Sequence, residues 1–80
     1  KTQELISDYY NVSLAYQGMG NYGMSNENAQ KALDKSLEVN NLKSARSCFL
    51  VLAENSEKLG DNKKASEYYE QYIFGNACNT

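Results

Sequence analysis

The sequence predicts an all-α fold made of two antiparallel helix-turn-helix hairpins, and three observations lead there. Apolar residues recur at spacings of three and four and never alternate, which is helical rather than strand periodicity. No proline interrupts the chain, so each helix can run unbroken. Gly20-Asn21, Asn40-Asn41 and Gly60-Asp61 punctuate it with residues that tolerate the left-handed conformation and cap helices. Eighty residues amount to one small domain or a piece of a longer array. The chain opens on Lys1 rather than Met, so the expectation is an excised or processed segment of a longer protein.

In the first element Leu5, Tyr9, Val12, Tyr16 and Met19 form one stripe, giving a helix over about 4–19. The second carries Ala29, Ala32, Leu33, Ser36 and Leu37 and stops at Asn40-Asn41, giving a helix over about 26–39. In the third, Leu42, Ala45, Phe49, Leu52, Ser56 and Leu59 repeat the stripe over about 42–59. The fourth carries Ala65, Tyr68, Tyr69, Tyr72 and Ile73 over about 62–74, with Asn62 as N-cap and Gly75 as the stop. Hairpin one therefore covers about 4–39, hairpin two about 42–74, and a flexible polar tail covers 75–80.

The hairpins are copies of one another. A shift of forty residues sets Leu5 on Ala45, Tyr9 on Phe49, Val12 on Leu52, Ser13 on Ala53 and Gly20 on Gly60. The second helix matches the fourth best at thirty-six, with Ala29 on Ala65, Leu33 on Tyr69 and Leu37 on Ile73. The difference places four extra residues, Gly23-Met24-Ser25-Asn26, in the first hairpin's turn. Ala29 and Ala65 are the small residues expected where backbones approach; Tyr9, Phe49, Leu33 and Tyr69 supply bulk.

Composition excludes several function classes. Eight Lys and Arg against ten Asp and Glu leave a net charge of −2, so neither nucleic acid nor an anionic membrane surface is the expected partner. The longest apolar run, Cys48 to Ala53, is too short to insert into a bilayer. The chain has no histidine, removing the commonest general base and metal ligand, and two cysteines make no zinc site. A Cys48–Cys78 disulfide would need the tail to fold back, which leaves the redox compartment open. Glu54 with Glu57, and Glu67 with Glu70, sit three apart as solvated helix pairs do, with no pocket around them. Asn11-Val12-Ser13 matches a glycosylation acceptor but falls mid-helix, where chance accounts for it. The expectation is a protein without catalytic residues, cofactor or metal.

Tyr10-Asn11-Val12-Ser13-Leu14-Ala15-Tyr16, followed by Gly20-Asn21-Tyr22, resembles the first-helix signature of the tetratricopeptide repeat. Leu52-Ala53, Leu59-Gly60-Asp61, Ala65, Tyr68-Tyr69 and Tyr72-Ile73 are similar to the later part of that repeat, and the likeness runs from Leu5 to Phe74. A period near forty looks like the longer variant common in bacterial signalling proteins. Three features depart from the pattern: the longer first turn, the absent repeat-ending proline, and Asn55-Ser56 in place of a small-aromatic pair. The last of these is expected to weaken the second hairpin.

What the resemblance implies is a short solenoid whose first helices line a groove for a protein or peptide segment, within a larger signalling or regulatory protein. Carried over position by position, the groove residues are Ser7, Tyr10, Leu14, Gln17 and Gly18 in the first copy. In the second they are Ser47, Leu50, Glu54, Glu57 and Lys58. The spacing alone gives nearly the same stripe, one step off each core stripe. Tyr10, Leu14 and Leu50 can equally pack against a neighbouring repeat. With Glu54 and Glu57 against a single Lys58, the groove favours a neutral or basic segment over an acidic one. A few apolar anchors at about 1.5–3 kcal/mol each, less ordering costs, give micromolar binding at best. The alternative is self-association through the terminal helix, with Tyr68, Tyr72, Ile73 and Phe74 pairing with another copy.

Overall fold

The computed structural model describes residues 2–77, with side chains described for residues 3–74. Within them the chain forms α1 (Thr2–Gly18), α2 (Tyr22–Glu38), α3 (Leu42–Lys58) and α4 (Asn62–Ala77), with no strand. Successive helices pack on one another, α1 on α2, α2 on α3 and α3 on α4, while α1 and α3 touch only slightly. The result is a slab of two stacked helical hairpins with Cα extents of 31 × 27 × 14 Å. Gly75 does not stop α4, which runs on to Ala77 through the first part of the tail expected over 75–80; residues 78–80 lie outside those described.

Helices begin every twenty residues because each turn uses the same local chemistry. Gly20, Asn40 and Gly60 stand at φ 81°, 56° and 83°. At each, the left-handed residue lets the next N–H reach back five residues: Asn21 to Tyr16 O, Asn41 to Ser36 O and Asp61 to Ser56 O, at 2.8–2.9 Å. The same Asn or Asp then caps the following helix. Asn21, Asn41 and Asp61 accept through Oδ1 from the N–H of Met24, Ser44 and Lys64 at 3.2, 3.1 and 3.1 Å.

Three sequence expectations give way here. Helix α2 starts at Tyr22, so Gly23 to Asn26 form its first turn, and the first hairpin's turn is no longer than the others. The two copies are therefore related by forty throughout, with Ser25 corresponding to Ala65. The thirty-six-residue match arises because a four-residue slip rotates a helix by only about 40°, which leaves an apolar stripe nearly in place. The cap of α4 is Asp61 rather than Asn62.

The core is built from small side chains. Ala29, Ala32, Leu33, Ala45, Cys48, Val51 and Leu52 form one buried cluster, with Tyr9, Tyr10, Phe49 and Tyr68 packed around it. On α1 the buried face differs from the expected stripe: Leu5, Val12 and Met19 are exposed, and Ile6 and Ser13 are buried instead. Leu42, the first residue of α3, and Leu59, its C-cap, are exposed too. Serine reads as a surface residue in sequence, but at this helix crossing its small size and reciprocal hydrogen bonds suit the close approach. Ser13 Oγ donates to Ser25 O at 2.8 Å, and Ser25 Oγ donates to Ser13 O at 2.7 Å.

Asn55 also departs from expectation. It is completely buried and ties three helices together rather than weakening the second hairpin. Its Nδ2 donates to Ser25 Oγ at 2.8 Å and to Asn26 Oδ1 at 2.9 Å, while Gln17 Nε2 donates to its Oδ1 at 3.1 Å. Among the described residues no buried side-chain nitrogen or oxygen lacks a partner, so this polar junction avoids the desolvation penalty of an unpaired group.

Candidate functional site

Helices α1 and α3 run parallel, and hydrogen bonds at both ends fix their register. Asn41 Nδ2 donates to Gln3 Oε1 at 2.9 Å, and fourteen residues further along α1 Gln17 bonds Asn55. Because α1 and α3 scarcely touch, a furrow remains between them, backed by α2. It deepens at its two ends.

The first depression, of ≈ 330 Å³, is lined by Ser7, Tyr10 and Ser47 of the expected groove, together with Ile6, Lys43 and Cys48. Tyr10 is half-buried and hydrogen-bonded to Ser47. Burial pushes its phenol above the ordinary value, Cys48 and Glu54 add to the rise, and the Ser47 bond opposes it. Burial likewise pushes the Cys48 thiol up to about 11, so it is protonated and poorly nucleophilic near neutral pH. Cys48 is a free thiol; Cys78 lies outside the described residues.

The second depression, of ≈ 410 Å³, brings together Gln17, Glu54, Glu57 and Lys58 with two residues outside the expected groove set, Tyr22 and Tyr69. Gln17 Nε2 donates to Glu54 Oε1 at 3.2 Å as well as to Asn55. Tyr69 Oη donates to Glu57 Oε1 at 2.8 Å. That bond is the main reason the Tyr69 phenol is pushed up to about 12, because ionisation would set two negative charges together. Tyr22 and Tyr69 come from different hairpins, and only the stacking of α2 and α4 around α3 brings them near the same carboxylates.

Between the depressions lie Leu14, about two-fifths exposed, and Leu50, half-buried; neither belongs to the lining of either depression. Gly18 is exposed at the end of α1. The residues of the alternative surface divide. Tyr68 packs against Phe49 with ring centroids 6.4 Å apart, and Tyr72 lies under Arg46, whose guanidinium carbon is 4.7 Å from the ring centre. Ile73 and Phe74 remain exposed on α4.

Among the described residues, no group of three or more potential metal ligands clusters together. No helix there is long and apolar enough to cross a membrane. No family model, curated protein or solved structure matches the chain.

Proposed function

We propose that this chain is a protein- or peptide-binding scaffold module of tetratricopeptide-repeat type, working within a larger signalling or regulatory protein. The observation that carries the reading is the furrow between parallel α1 and α3, deepened at both ends, with half-buried Tyr10 lining one of them and half-buried Leu50 on the stretch of α3 between. Such a surface offers apolar anchorage inside a polar rim, the usual composition of a peptide-binding groove. No catalytic role is assigned to it, and nucleic acid is not the proposed partner.

A peptide library selected on the purified chain tests this. Selected segments should lose at least about tenfold in affinity on Leu50→Ala and on Leu14→Ala, with helicity by circular dichroism unchanged. Selected segments that ignore both substitutions would sink the groove reading.

One observation favours the second reading, self-association through α4. Ile73 is 57% exposed, whereas Leu33, forty residues earlier, is 4% exposed because α3 covers it. Phe74 beside it is exposed as well. Light scattering across a wide concentration range decides: a dimer abolished by Ile73→Glu supports this reading, and a monomer throughout removes it.

A further inference from the structure

The furrow has a direction. The Gln3–Asn41 and Gln17–Asn55 bonds both link residues thirty-eight apart, so α1 and α3 point the same way. Their peptide dipoles therefore add, positive at the Asn41 end and negative at the Lys58 end. Charged side chains follow the same gradient. Among the described residues, Lys43 is the one charged residue lining the first depression, whereas Glu54 and Glu57 stand against Lys58 in the second.

Hydrogen-bond inventory sharpens the contrast at the negative end. Both hydrogens of Gln17 Nε2 are committed, to Glu54 and to Asn55, and the Tyr69 hydroxyl is committed to Glu57. Apart from the Lys58 ammonium and the Tyr22 hydroxyl, what remains for a ligand is the oxygen of two carboxylates beside the rings of Tyr22 and Tyr69, a net acidic setting that suits a guanidinium or an ammonium. The walls are helices, with no strand edge to pair an extended backbone, so a ligand that satisfies its own backbone groups is favoured.

Building on the groove reading above, we infer that the furrow takes an amphipathic helix of a partner protein, antiparallel to α1 and α3. An Arg or Lys near that helix's N-terminal end sits among Glu54, Glu57 and Tyr69. An apolar side chain two turns later covers Tyr10, since Gln17 and Tyr10 are seven residues, or roughly 10 Å, apart along α1. The antiparallel direction sets the ligand's dipole against those of the groove helices.

Two end-blocked helical peptides test this against the whole chain by fluorescence anisotropy at low salt. One carries arginine two turns before leucine; the other is the same sequence reversed. The first should bind at least about fivefold tighter, and the advantage should vanish in the Glu54→Gln/Glu57→Gln double variant. Those amides keep an acceptor for Gln17 and Tyr69, and circular dichroism verifies the fold. Equal binding, or tighter binding of the reversed peptide, overturns the direction while leaving the groove standing. A preference that survives the double variant overturns the seat assigned to the cation. Binding of neither peptide at millimolar concentration overturns both the direction and the groove reading.

Discussion

Ser13 and Ser25 each donate a hydroxyl hydrogen to the other's backbone carbonyl, at 2.8 and 2.7 Å, across the α1–α2 crossing. The exchange is symmetrical, but the surroundings are not, because Ser25 Oγ also accepts from Asn55 Nδ2. Ser25→Ala should therefore cost about 1–3 kcal/mol and Ser13→Ala about 1 kcal/mol. Urea denaturation of the two single variants and the double variant measures this, and the double should cost less than the sum because the partners are shared.

Asn40 is the one non-glycine residue at positive φ among those described. Its conformation matches that of Gly20 and Gly60, where the absence of Cβ removes the strain. Asn40→Gly should stabilise the fold by up to about 1 kcal/mol, and Asn40→Val should destabilise it by about 1–2 kcal/mol. Thermal melts of the two variants should move in opposite directions.

Ala65 is buried where α4 meets α3, at the position Ser25 occupies in the first hairpin. Ala65→Leu overpacks that approach, with an expected loss of about 1–3 kcal/mol in chemical denaturation. Lys64→Leu, on the exposed side of the same turn, is the control and should change stability little.

The Tyr69 phenol, raised from 10.0 to about 12 chiefly by its bond to Glu57, gives a pH dependence with a definite sign. Between these values the folded chain retains a proton that the unfolded chain has lost. Any stabilisation from this group is thus complete below pH 10 and declines as pH rises through 12. A spectroscopic titration of phenolate should show a late-ionising tyrosine that disappears in Tyr69→Phe and shifts earlier in Glu57→Gln.

Cys48 should react with a disulfide reagent far more slowly in the folded chain than in urea. Burial raises its thiol to about 11 and denies the reagent access. Labelling at native speed equal to that in urea would contradict its placement under Tyr10.

The helical hairpins were legible because 3.6-residue periodicity and Gly or Asn punctuation are local signals. The start of α2 was obscured by Gly23, which looks like a turn residue yet fits the first turn of a helix capped by Asn21. The buried face of α1 is masked in the sequence because Ser13 is polar, although its correspondence with buried Ala53 carries the hint. Most expected groove residues do face the α1–α3 furrow, since their positions depend on helical phase alone. The place of Tyr22 and Tyr69 in the second depression is not legible in the sequence, because their meeting depends on how α2 and α4 flank α3, which no periodicity encodes.

The buried amide of Asn55 has a bearing on how this sequence can drift over generations. A leucine at 55 would leave the Gln17 amide with Glu54 alone and take a donor from Ser25 and Asn26 at once. Neutral drift at this junction is thus expected to proceed in concert, so homologues with an apolar residue at 55 should also carry a compensating change at 17 or 25.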